Sequence, residues 1–228
     1  FEAQRDQYFA GASNDYRFYT NQAFAGYFHM QEALAADSAA DARKAAATVQ
    51  QALAVADGLL PRLNKKEAQT YHDSLKRAGE AVSAIAANER APIDQIRTHF
   101  AQVSLAMGKF SQAFNKSAKG AVSALVFHCP MALNDKGAAW LQRTDQIANP
   151  YFGVSMLRCG ELTDTHMAKC SVTGKEDADP GVSVEYEGMT YYFCCKDCIK
   201  KFNEHPEHYI HGDSGGNKKP NGHGEHGH

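Results

Sequence analysis

All six cysteines of this 228-residue chain lie between residues 129 and 198, and two of their clusters carry methionine or histidine beside them. One cluster reads His128-Cys129-Pro130-Met131, and Met156-Leu157-Arg158-Cys159 follows it. The other comprises Cys170 and the run Cys194-Cys195-Lys196-Asp197-Cys198. Thiolate and thioether are soft donors, which select copper(I) over hard cations such as magnesium and calcium.

In the first cluster, Cys129 and Met131 stand two apart, so an extended segment would turn both side chains to one side. Met156 and Cys159 stand three apart, which suits one helical turn. The two pairs would form a copper site of Cys129, Met131, Met156 and Cys159, with adjacent His128 able to replace a ligand. The competing reading is a Cys129–Cys159 disulfide with both methionines as core filler.

In the second cluster, Cys170 sits in a turn, Cys194 closes a hairpin, and Cys198 lies on the following helical turn. Cys170, Cys194 and either Cys195 or Cys198 come within range of one ion. Zinc would accept them tetrahedrally with a histidine such as His205 or a fourth cysteine, and copper(I) could use three. So small a unit has little core, and a metal would supply folding energy. A Cys170–Cys194 disulfide is the alternative. His205, His208 and His211 recur at intervals of three, and His223, His226 and His228 lie in the tail; these are auxiliary imidazole ligands for copper(II), nickel or zinc, or solvated side chains.

The elements that must position these residues follow from periodicity. Phe24, Tyr27, Phe28 and Leu34 predict a helix from Asp15 to about Ala36, and Ser38 with Asp41 caps a second helix reaching about Leu63. Asn64 and Glu67 open a third helix carrying Tyr71, Leu75, Ala78, Val82 and Ile85. Pro92 begins a fourth, with Ile96, Phe100, Val103, Met107, Phe110 and Phe114 along it. Short joints make this an antiparallel four-helix bundle. Val122–Phe127 reads as a strand or buried connector, and residues 128–162 as irregular with a short helix around Asp135–Leu141. Val182–Tyr186 and Thr190–Phe193 form a hairpin about Glu187-Gly188, and a helix runs from Lys196 to Asn203.

The fold class is therefore mainly α: a four-helix bundle with a Cys/Met segment (14–162), then a small α+β metal module (168–211) and a disordered His-rich tail (212–228). The net charge of −2 and the lack of a basic stripe argue against nucleic acid. No apolar run approaches the roughly 18 residues of a membrane span. The chain opens Phe1-Glu2-Ala3-Gln4-Arg5, with neither initiator methionine nor signal-peptide pattern, so a segment processed or excised from something longer is expected. No hydrolase, zinc-protease or phosphate-loop motif appears, and a binding protein rather than an enzyme is expected. Cys195-x-x-Cys198 has the spacing of a thiol oxidoreductase, but follows a hairpin rather than a βαβ unit.

Two resemblances sharpen this. His128-Cys129-Pro130-Met131-Ala132, Lys136-Gly137-Ala138-Ala139-Trp140-Leu141, Asn149-Pro150-Tyr151-Phe152-Gly153 and Met156-Leu157-Arg158-Cys159-Gly160 resemble a helical domain of formerly unknown function. That domain occurs at the C-terminus of periplasmic copper/silver efflux adaptors and in separate secreted proteins. The likeness covers roughly residues 14–162. Residues 170–209 resemble the YHS/TRASH heavy-metal modules through Cys170, Gly174, Tyr186, Gly188, Tyr191, Phe193, Cys194, Cys198, Phe202, Pro206 and Tyr209. That family's cysteine triad falls on Cys170, Cys194 and Cys198, with Cys195 outside it. The resemblances imply heavy-metal binding in the periplasm, most plainly of copper(I), with an efflux pump, its adaptor or another copper protein as partner.

Overall fold

The structure is a computed structural model that describes residues 2–63, 65–88, 90–115, 122–175 and 178–210. Four long helices come first: α1 (Glu2–Ala35), α2 (Ala39–Leu59), α3 (Lys65–Ala86) and α4 (Ile93–Asn115). α1 begins well before Asp15: no proline interrupts residues 2–14, and the helix runs through Gly11 although the apolar period has not yet started. The Ser38 hydroxyl accepts the Asp41 N–H at the start of α2, and a 3-10 turn at Leu60–Arg62 finishes it. Pro92 precedes α4, its carbonyl accepting the Gln95 and Ile96 N–H groups.

The apolar stripes meet in one core. Phe24, Tyr27, Phe28 and Leu34 of α1 are buried with Val49 and Leu53 of α2, Leu75 and Val82 of α3, and Phe100 and Phe110 of α4. Phe24 stacks on Phe110 at 5.7 Å, and Tyr27 on Phe100 at 5.4 Å. α2 contributes mostly alanine to this core (Ala42, Ala45, Ala46, Ala52, Ala56), which lets its neighbours approach closely.

Val122–Phe127 takes the strand alternative over Ala124–Phe127, and residues 128–162 depart from the expected irregular segment. Residues 122–166 form a three-stranded antiparallel sheet in the order β2-β1-β3, with β1 at Ala124–Cys129, β2 at Ala138–Gln142 and β3 at Glu161–His166. The helix expected at Asp135–Leu141 is not formed: a single turn, α5 (Ala132–Asp135), leads into β2 instead. Leu133, Asn134, Asp135 and Gly137 all take positive φ, reversing the chain so that Ala138–Gln142 pairs with β1. A window of five residues cannot separate the two periods, and pairing decides it. Phe127, Cys129, Ala138 and Trp140 are all buried, and the sheet joins the bundle core on that side.

A second, smaller core belongs to the C-terminal part: the hairpin β4 (Asp179–Tyr186) and β5 (Met189–Phe193), followed by α6 (Lys196–Glu204) and the short α7 (Glu207–Ile210). Phe202 of α6 is fully buried against Tyr191 and Phe193. The two cores meet at α1. The Arg17 guanidinium lies 5.0 Å from the centre of the Tyr191 ring, Gln22 donates to the Gly188 carbonyl at 2.8 Å, and Phe18 packs on Gly188. Ser123 adds a second seam, donating to the Ala178 carbonyl and accepting the Ala168 N–H. The expected disordered tail at 212–228 lies outside the described residues.

Candidate metal centre

Cys170, Cys194 and Cys198 converge, with all three sulfurs within 4.8 Å of one another. Each arrives from a different element. Cys170 sits in a turn closed by Cys170 N–H to Lys175 carbonyl and Gly174 N–H to Cys170 carbonyl. Cys194 follows β5, and Cys198 stands in the first turn of α6. Ser171 ties the Cys170 turn to the hairpin through the Tyr192 carbonyl, at 3.0 Å from its N–H. Cys170 and Cys198 are buried, at 1% and 5% exposure, and Cys194 is half-buried.

The three thiols are electrostatically unequal. Burial pushes the Cys170 thiol up, but hydrogen bonds from the Thr173 side chain and from the N–H groups of Thr173, Cys194 and Val172 outweigh it and bring it down to about 7. Cys198 is pushed far up, by burial first and then by the neighbouring thiols. The Cys198 hydrogen bond draws Cys194 down, yet burial and Cys170 carry it above its ordinary value. One thiolate therefore forms near neutrality while its neighbours hold their protons, a state that an incoming cation would resolve by displacing them.

Cys195 lies outside this group of three. Its sulfur is 3.7 Å from Cys198, but its side chain is exposed. The Cys198 N–H holds the Cys195 thiol below its usual value, and the Cys198 thiol adds to this.

The first cluster comes together only in part. Cys129 and Cys159 place their sulfurs 3.6 Å apart as free thiols, Cys129 fully buried and Cys159 half-buried. The Cys129 thiol hydrogen bond holds the Cys159 proton on, raising its pKa. Met131 does not share the face of Cys129: the strand ends at Cys129, Met131 has turned into a helical φ/ψ, and its side chain is 45% exposed. Met156 ends a 3-10 turn at Gly153–Met156 and is half-buried, with its carbonyl accepting the Cys159 N–H. His128 faces away from Cys129, since neighbours on a strand point to opposite sides, and its ring lies beside Gly137.

What sets Cys159 opposite Cys129 is a loop that spacing alone had not explained. Asn149 donates from its side chain to the Cys159 carbonyl at 2.7 Å and from its N–H to the Leu157 carbonyl, while its Oδ1 accepts the Tyr151 N–H. The Tyr151 hydroxyl donates to the Ala139 carbonyl of β2. Arg97 anchors the loop to the bundle, donating to the carbonyls of Pro150 and Leu34 and to Asp37 at 2.5 Å. Gly153 is packed against Asp37 and Arg97 with φ +57, where a side chain would be both strained and in collision.

The imidazoles divide. His205 does not join the three thiols; with Glu207 and His208 it forms a separate exposed group whose ligand atoms lie within 4.8 Å of one another. The two rings stack at 5.0 Å. Glu207 carried no signal in the spacing of the histidines. His29 and His72 are exposed and His99 half-buried on the bundle. His211, His223, His226 and His228 lie outside the described residues.

A helical bundle bearing a small cysteine-rich module is the class that this geometry defines, and the clustered thiols indicate metal binding. The comparisons agree with both parts. Residues 23–119 match a family described as a protein of unknown function (DUF3347), and residues 181–213 match the YHS domain, a heavy-metal-associated cysteine-rich module. Cys129 and Cys159 lie beyond the first match, and Cys170 precedes the second. No curated protein and no solved structure matches the chain.

Proposed function

We propose that this protein binds copper(I) in the periplasm and passes it on within a copper-efflux or copper-homeostasis system. The observation that carries the reading is the convergence of Cys170, Cys194 and Cys198. Three sulfurs in a largely buried pocket are a soft donor set of the coordination number copper(I) accepts. Cys129 and Cys159 offer a second, two-thiol position on the bundle sheet. The envelope location and the efflux partner rest on the likeness of the Cys129–Met131 and Met156–Cys159 motifs to the domain found in efflux adaptors. The protein acts as a carrier rather than an enzyme: the ion is cargo, captured by thiols that give up protons and released by exchange with another soft donor. No helix among the described residues is long and apolar enough to cross a membrane, which suits a carrier.

Anaerobic titration of the reduced protein with copper(I), against a chromophoric chelator, tests this. Tight uptake that falls by one equivalent in Cys170→Ser is expected. Preference for zinc over copper(I) at the same residues would make the module a structural zinc site, and no uptake of either ion would discard the metal reading. One observation favours a second reading: exposed Cys195 and buried Cys198, 3.7 Å apart at the start of α6, also have the layout of an exchanging thiol pair. Disulfide-reductase turnover lost in Cys198→Ser would establish it.

A further inference from the structure

The module holds four thiols, and three of them account for the metal pocket. We propose that the fourth, Cys195, is the exchange thiol through which a soft metal ion enters and leaves the Cys170–Cys194–Cys198 site; this rests on the reading of that site as a metal carrier. Cys170 and Cys198 are buried and Cys194 is half-buried, so a donor or acceptor approaching from solvent meets Cys195 first. The backbone at Cys195 is extended, with φ −161 and ψ 166. Cys194 is half-buried and belongs to the pocket group, whereas Cys195 beside it is exposed to water. Yet the Cys195 sulfur is 3.7 Å from that of Cys198, the distance at which one ion can bridge two sulfurs without rearrangement of the backbone. Cys198 is itself 3.7 Å from Cys194, so the sulfurs form a continuous path from surface to pocket.

The transfer is a sequence of ligand substitutions with no change of oxidation state. The Cys195 thiol gives its proton to solvent as its sulfur bonds the ion and the bond to the outside donor's sulfur breaks. The ion then bonds Cys198, whose proton also leaves to solvent, and the bond to Cys195 breaks as Cys194, losing its own proton to solvent, and the Cys170 thiolate complete the set. Cys195 regains a proton from solvent. Release runs the same steps backwards, with a chelator or partner thiolate as acceptor.

The test compares the wild type with Cys195→Ser, both with Cys129 and Cys159 intact. Copper(I) affinity is measured against a chromophoric chelator, and release is followed by stopped-flow after mixing with excess chelator. The expected result is equal stoichiometry and affinity within about twofold, with the release phase belonging to the module at least tenfold slower in the variant. A second readout is independent of rate: in the copper-loaded wild type, iodoacetamide should modify Cys195 alone, as mapped by mass spectrometry. A tenfold loss of affinity in Cys195→Ser, or protection of Cys195 in the loaded protein, would make it a resident ligand and overturn the proposal. Release at the wild-type rate would overturn it equally. Wild-type protein that takes up no copper(I) at the module fails the site reading itself, before any variant is compared, and removes the proposal with it.

Discussion

Cys170 differs from the other thiols of its pocket in the number of hydrogen bonds aimed at it. Its turn brings the Thr173 hydroxyl and several N–H groups onto one sulfur, which is why its thiol falls to about 7 although burial acts against it. Thiolate absorbance near 240 nm in the metal-free protein should therefore show a step centred near pH 7 that disappears in Cys170→Ser. Thr173→Val should move the step upward by removing the side-chain hydrogen bond. Acid works against metal capture at this residue: below pH 7 the sulfur holds a proton that the ion must displace, so affinity should fall as pH drops through that value.

At the scale of elements, one strand–helix contact and one loop–helix contact tie the segment after the bundle to its helices. His166, at the end of β3, is buried against α4, with Nδ1 2.6 Å from the Ser111 hydroxyl and Nε2 2.9 Å from the Gln112 amide nitrogen. The amide N–H can only donate, so Nε2 accepts and the proton sits on Nδ1. Burial lowers the pKa of His166 below its ordinary 6.5, and Asp164 only partly offsets it. The unfolded chain thus takes up a proton that the folded one refuses. Stability from this contact is complete above about pH 6.5 and is lost as pH falls toward the lower folded value. Thermal unfolding across pH 5 to 7 should show this slope, and His166→Gln should flatten it. The second contact is Arg97, whose guanidinium holds Leu34, Asp37 and Pro150 together. Asp37 is held below the usual carboxylate range chiefly by that hydrogen bond. Arg97→Ala takes the guanidinium donors from the buried Pro150 carbonyl and from Asp37, leaving the Leu34 carbonyl only the Asp37 N–H, and should cost about 2–4 kcal/mol in denaturant unfolding. Gly153→Ala forces a side chain onto the same pair at positive φ and should cost at least about 1 kcal/mol. Either change should also slow oxidation of Cys129 with Cys159, since the loop that aligns them is loosened.

For the whole molecule, the question is how firmly the module sits on the bundle. The contact is polar and aromatic: Arg17 on Tyr191, Gln22 on the Gly188 carbonyl, Phe18 against Gly188, and Ser123 between Ala168 and Ala178. Gly188 has φ +74, and a Cβ there would come within 2.6 Å of the Phe18 ring. Gly188→Ala should thus undock the module as well as strain the hairpin. Calorimetry should then show a separate low-temperature transition, and that transition should rise again on adding copper(I), because ligand binding stabilises the folded module by mass action.

The sequence by itself determined the parts whose signal is local. The helical periods of Phe24, Tyr27, Tyr71, Val82, Phe100 and Phe110 repeat over several turns, and every one of those residues is buried. Spacing along the hairpin and the following helical turn put Cys170 and Cys194 together with either Cys195 or Cys198, and only the likeness to the YHS/TRASH modules singled out Cys198. The tertiary structure alone decided the rest. Residues 138–142 became a strand because β1 was there to pair with, a contact no short window contains. Met131 and His128 parted from Cys129 because the chain turns at Pro130 and because a strand alternates its faces. His205 went to Glu207 and His208 rather than to the thiols. Asn149 and Arg97 have no soft-donor chemistry to mark them, yet they align Cys159 with Cys129 across 30 positions of sequence. Spacing supplies ligands that are close along the chain; ligands that are far apart meet only where packing and buried hydrogen bonds bring their backbones together.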